Sequence, residues 1–224
     1  MIRYSPAERK AIHGGLSTPA KMKGSSSYGI PARVTCPIGD KLARLGKHTV
    51  CSGCYGDNRG NYCRPNVKAA QARRKACVDE AIRSFRGLRR FVRAMAQDMR
   101  KPRHRWHDTG DTYHPLYALA ILAIARRTPN VLHHIPTKER TLWENMVERY
   151  RERWPSNLVV RVSAYTWHAP PPRVTYPLRS NAVESGKATH ACPVRGGEDS
   201  CEAHGCYACW DLMIASVDFH RHTG

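Results

Sequence analysis

PLYALAILAIARRTPNVLHHIPTKERTLWENMVERYRERWPSNLVVRVSA, residues 115–164, is the stretch that decides the fold. Pro115 to Arg127 is nearly all apolar and reads as a helix buried on most sides. Val131 to Pro136 and Asn157 to Ala164 read as short strands, with a second helix from Lys138 to Arg151 between them. Just upstream, HRWHD (His104 to Asp108) is a further strand, closed by the turn TGD. Strand–helix–strand–helix–strand at this spacing implies right-handed βαβ units and a parallel sheet. In such sheets chemistry gathers at the carboxyl ends of the strands. The polar residues collect there: Asp108, Thr109 and Asp111, then Thr137 and Lys138, then Ser163.

Upstream of this core, residues 1–64 form a cysteine-containing segment, loop-like to about Gly60, with GSSSYG, Pro31 and Pro37; it holds Cys36, Cys51 and Cys54, with Cys63 just after the loop-like part. Pro65 opens a helical stretch in which Phe85, Leu88, Val92, Met95 and Met99 recur every three or four residues, one amphipathic face. Arg83, Arg86, Arg89, Arg90 and Arg93 occupy the other faces, as a solvated surface or as phosphate contacts. Downstream, residues 166–224 begin with a proline-rich turn and return to cysteine in ACPVRGGEDSCEAHGCYACW. The whole reads as a single domain, 1–224, with cysteine-bearing segments flanking an α/β core at 65–165.

The chain carries 37 Lys and Arg against 18 Asp and Glu, a formal charge of +19. That excess calls for a polyanionic partner, because neutralising phosphates releases counterions. The longest apolar run, Leu116 to Ala125, is about half the roughly 20 residues a bilayer span needs, so no membrane role is expected. MIRYSPAERK has no apolar stretch of the secretory kind. A cytoplasmic location is therefore expected, where nine cysteines serve as metal ligands rather than disulfides. No P-loop or GxGxxG appears, which leaves ATP and NAD chemistry without support.

Cys206 and Cys209 form a CxxC pair, with Cys201 ahead and His220 and His222 after, a spacing suited to tetrahedral zinc. Cys51 and Cys54 form a second CxxC, with Cys36 upstream and Cys63 or Cys192 able to complete a set. Thiolates serve zinc and iron–sulfur clusters alike, so spacing leaves both open for this group. Asp108 and Asp111, three residues apart in a glycine turn, are candidates to share a pocket as an acid/base and a nucleophile. His107 beside them is a candidate catalyst, and capping of the following helix is the structural alternative for either aspartate. A base inside a duplex must be flipped out to be reached. Tyr28, Trp106 and Tyr113 offer faces to stack it, His134, Thr137 and Lys138 lie near the rim, and Arg161 and Ser163 are placed to meet a base edge or phosphate.

The layout KMKGSSSYGIPA, TCPIGDKL, CSGCYG, RWHDTGD, HHIPT, NLVVRVSA and CYACWD (Lys21 to Asp211) resembles a family of small phage proteins. Part of that group is associated with DNA 7-deazaguanine transglycosylases, distant relatives of the tRNA-guanine transglycosylases. The resemblance implies a host-cytoplasmic enzyme acting on double-stranded DNA. An aspartate attacks C1′, guanine leaves, and a free 7-deazaguanine such as preQ0 takes its place. DTGD is similar to the DSGG turn of the transglycosylases, which gives Asp108 that turn's role; Asp111 stands where they have glycine. Their structural zinc corresponds here to Cys201, Cys206, Cys209 and His220, with a wider first gap. The chain is short for their eight-stranded barrel, so the expected fold is α/β, a reduced or partial (β/α) barrel. Two rivals remain, an iron–sulfur radical-type enzyme using Cys36, Cys51 and Cys54, which lack the usual CxxxCxxC, and a non-enzymatic zinc-dependent DNA-binding protein.

Overall fold

The computed structural model describes residues 2–19, 21–58, 60–195 and 199–221. The chain opens with α1 (Pro6–His13), whose capping box joins Ser5 and Glu8, and β1 (Ser25–Tyr28). Next come α2 (Pro37–Arg44), the single turn α3 (Tyr55–Asn58), α4 (Pro65–Ile82) and α5 (Phe85–Asp98). The core continues as β2 (Arg103–Trp106), α6 (Pro115–Arg127), β3 (Leu132–Thr137), α7 (Arg140–Tyr150) and β4 (Leu158–Ser163). β5 (Arg179–Val183), β6 (His190–Ala191) and β7 (Ser216–Phe219) complete it.

All seven strands lie in one parallel sheet, in the order β1-β2-β3-β4-β5-β7-β6. Trp106 sits opposite Tyr28, His134 opposite Arg105, and Arg161 opposite Pro136 and Arg179. Side chains alternate between the two faces of a strand, which divides the sheet chemically. One face buries Tyr28, Trp106, Ile135, Val160 and Val162 against Phe91, Met95, Ile121, Ile124 and Trp143 of the helices. The other carries Ser27, Arg105, His134 and Arg161, and residues 207–211 cover it. Arg161 donates to the carbonyls of Ala208 (2.8 Å), Cys209 (3.1 Å) and Asp211 (2.8 Å). The His134 ring meets Trp210 edge-on at 5.5 Å, and the Arg103 guanidinium lies 3.7 Å over the Tyr207 ring.

The βαβ core is where the sequence places it, within one or two residues at each boundary. β2 ends earlier than expected, at Trp106, because His107 turns to φ 55°. Three expectations need correction. The first 60 residues are not merely loop: Ser25–Tyr28 is an edge strand of three serines and a buried tyrosine. The last 60 hold three strands. Phe85, assigned to the apolar face of its helix, is 71% exposed in the first turn of α5, and Phe91 fills the core instead. The two edges of the sheet, β1 and β6, do not pair with each other among the described residues, so a closed barrel is not formed. Among the described residues no helix is long and apolar enough to cross a membrane.

Candidate active site

The DTGD turn leaves β2 at the carboxyl end of the sheet, flanked by the ends of β1 and β3. Its two carboxylates part company there. Asp108 turns toward β1, where Ser27 Oγ donates to its Oδ2 at 3.4 Å and its Oδ1 is buried without a hydrogen-bond partner. A Cβ on Gly29 would overlap that Oδ1, so only glycine admits the carboxylate at this point. Asp111 turns toward β3. Its Oδ1 accepts from Thr112 N and Thr137 Oγ1, and its Oδ2 from Lys138 N, each at 2.7 Å. Burial, opposed by those three bonds, raises its pKa to about 6. The expected shared pocket and mutual repulsion of the two aspartates are therefore not found. Neither caps α6, whose cap is His114, with Nδ1 accepting from Leu116 N at 3.1 Å.

Around Asp108 stand residues that the sequence did not single out. Tyr55 donates its hydroxyl to the Asp108 carbonyl at 2.8 Å, and its ring lies 5.6 Å from that of Tyr62. Burial first, then the Asp108 charge, hold the Tyr62 hydroxyl well above its ordinary value. Gln71 donates to Thr109 Oγ1 at 2.8 Å, and Thr109 Oγ1 donates to the Ile30 carbonyl. Half-buried Arg105 approaches Asp108, Tyr55 and Tyr62 from the strand below. The signal for Tyr55 was its place directly after the CxxC, an aromatic in a loop rather than in a strand.

Several expected substrate contacts are structural instead. Tyr28 and Trp106 are fully buried in the core; Tyr28 donates to the carbonyls of His13 and Arg74, and Trp106 to His133. Tyr113 donates to Asp79 of α4 at 2.7 Å. His107 packs against Tyr117, its Nε2 3.0 Å from the hydroxyl, and burial drives its pKa to about 3, which keeps it neutral. Arg161 is fully buried and committed to backbone carbonyls. His134 is buried under Trp210 with no partner for either ring nitrogen. Thr137 serves Asp111, and Lys138 Nζ donates to the Ala164 carbonyl at 2.6 Å. Ser163 ends β4, half-buried.

Cys36, Cys51 and Cys54 gather beyond Asp111 and Lys138. Burial, then the neighbouring Asp111 and the other two thiols, push Cys36 far up; burial does the same to Cys51 and Cys54. A Cβ on Gly39 would press on Cys36 Cβ at 3.0 Å and sit 3.6 Å from Cys51 Sγ, so Gly39 makes the room these thiols use. Glu139 ties the loop to β3 by accepting from Ile38 N at 2.7 Å. Cys63 is exposed and apart. Cys192 does not complete this group. It follows β6 and lies with Cys201, Cys206 and Cys209, whose charges act on one another, while His220 is not among their principal neighbours. His222 falls outside the described residues. Among the described residues no three His, Cys, Asp or Glu side chains already stand at the spacing of metal ligands.

A helix-backed parallel sheet with carboxylates, tyrosines and thiols at its carboxyl end defines an α/β protein with a polar site there. The chain belongs to the Gene product 88 family, a family of phage type, whose model matches residues 5–171. The match takes in the DTGD turn, both tyrosines and the first cysteine group, and ends before the tail. No curated protein and no solved structure matches the chain.

Proposed function

We propose that the protein is a nucleic-acid base-modifying enzyme that exchanges guanine in DNA for a free 7-deazaguanine such as preQ0, with Asp108 as the attacking group. The observation that carries this reading is Asp108 Oδ1, a carboxylate oxygen buried at the strand ends without a partner. Oδ1 attacks C1′ as the C1′–N9 bond breaks, and guanine leaves with the bonding pair on N9, which takes a proton from water. The five-membered-ring nitrogen of the incoming base gives its proton back to the hydroxide so formed and displaces Asp108 from C1′, which restores the free carboxylate. Tyr55, 37% exposed, and its neighbour Tyr62 flank this point and suit stacking of a flipped base. Asp111 holds the turn against β3 and is a positioning residue. The formal charge of +19 supplies the grip on the phosphates. The sequential parallel run from β1 to β5 with helices on one face also fits the partial (β/α) barrel expected for this chemistry.

The test incubates a guanine-containing duplex with free preQ0 and the purified protein, then digests the DNA for nucleoside mass spectrometry. The modified deoxynucleoside is expected with the natural protein and at least a hundredfold less with Asp108→Asn, the scale of losing a positioned reacting group. Normal exchange by Asp108→Asn, or none by the natural protein, sinks the reading.

One observation favours a second reading. Cys36 and Cys51 border the space Gly39 leaves, and Cys54 is close enough to act on Cys36 and on Lys138, a donor set that suits an iron–sulfur cluster with one open position. Anaerobic purification decides it: iron with acid-labile sulfide, lost in Cys51→Ser, supports a cluster enzyme, and their absence removes it.

A further inference from the structure

We propose that Cys192, Cys201, Cys206 and Cys209 bind one divalent thiophilic metal ion of the zinc class, which fastens residues 192–211 to the open face of the sheet. The site is distinct from the Asp108 turn and does not depend on the reading given there. Three elements bring the thiols together. Cys192 leaves the end of β6, where its N–H donates to the Asp218 carbonyl at 2.8 Å. Cys206 N donates to the Cys201 carbonyl at 3.0 Å, closing a tight loop, and Cys209 follows in the CxxC turn. His190 Nε2 lies 3.3 Å from Cys206 Sγ and ties that loop to β6.

The second observation is charge. Arg161 is fully buried and Arg105 half-buried, and among the described residues neither has a carboxylate within ion-pair distance. When ionised, Cys209 acts on Arg161 more strongly than Asp211 does, and Cys209 and Asp108 act on Arg105 after Tyr55. A buried guanidinium without a counter-charge is unfavourable, because it has lost its hydration with nothing to replace it. Thiols beside it supply none while they remain protonated. A bound metal deprotonates its cysteines outright, and four thiolates around a divalent ion leave two negative charges for the two guanidiniums. The buried arginines and the four cysteines thus account for each other. Because the thiols are not yet at ligand spacing, binding draws them in and tightens the tail.

The experiment titrates the reduced, full-length protein with Co(II), reading stoichiometry and the intensity of thiolate-to-metal charge transfer, and follows proteolysis of the tail. The natural protein is expected to show four-thiolate absorption and a tail that cobalt protects. Cys192→Ser should lose about a quarter of that intensity and bind at least tenfold more weakly. His220→Ala and Cys51→Ser should match the natural protein. Should Cys192→Ser fold poorly, the intensity in the natural protein alone separates four thiolates from three. Three-thiolate absorption, an unaffected Cys192→Ser, a signal lost in His220→Ala or Cys51→Ser, absence of cobalt binding, or iron with sulfide in the protein as isolated would each overturn the assignment.

Discussion

Asp111 accepts three hydrogen bonds, and burial still lifts its pKa from 3.8 to about 6. A carboxyl raised in the folded state holds a proton there that the unfolded chain has released. Its contribution is therefore present at low pH and lost as pH rises from about 4 to about 6. Glu139, raised by burial from 4.5 to about 7, acts in the same sense. Five histidines act in the opposite sense: His13, His104, His107, His133 and His134 are all held below 6.5, chiefly by burial. Below pH 6.5 the unfolded chain takes up protons that these folded histidines refuse, so stability falls with acid. Five groups outweigh two, and the net trend between pH 6.5 and 4 is acid loss. Asp111→Asn removes one of the two offsetting groups and should steepen that loss. It also turns an amide N–H toward Lys138 N, costing about 1–3 kcal/mol at neutral pH. Urea midpoints at several pH values check this, and an unchanged acid slope would count against buried Asp111 titrating there.

β4 illustrates what one strand does for two layers. Leu158, Val160 and Val162 face the helices, and Arg161 faces the tail with three carbonyls in its grasp. Arg161→Met keeps length and apolar bulk but leaves those carbonyls without donors. We expect a loss of about 3 kcal/mol and new protease cleavage within 199–214, with the β2–β4 core intact. Equal cleavage in both proteins would show that other contacts hold the tail. The same strand shows which parts of the fold were legible. NLVVRVSA and the apolar α6 announce themselves by β-branched density and by a run longer than a strand. Ser25–Tyr28 and Arg179–Val183 carry polar residues toward a covered face, so neither alternation nor hydrophobicity marks them. The Asp108 turn was legible from its place after a strand. The parting of Asp108 from Asp111 was not, since it depends on which neighbouring strand each meets. Which cysteine group Cys192 joins was left open for a similar reason: spacing along the chain says nothing of a two-residue strand lying beside β7.

At the scale of the whole molecule the dominant quantity is charge. Arg83, Arg86, Arg89 and Arg90 are exposed on or beside α5, so the basic surface extends well beyond the Asp108 turn. Each phosphate neutralised contributes roughly 0.9 to the slope of log affinity against log salt on duplex DNA. Contact with several phosphates predicts a slope of several units, measured by fluorescence anisotropy between low and physiological salt. A flat response would mean that the excess charge does not serve DNA binding.

The strand order β5-β7-β6 has a consequence for how the chain is made. Synthesis delivers β6 before β7, yet among the described residues β6 pairs only with β7, which joins it to β5. As residues 190–191 leave the ribosome, no neighbour awaits them, and β5 presents a bare hydrogen-bonding edge until Ser216–Phe219 arrives. A nascent chain paused between these points exposes an adhesive border of the kind that chaperones shield. A chain cut before Ser216 would keep that border permanently, and it should collect in the insoluble fraction although its βαβ core is complete.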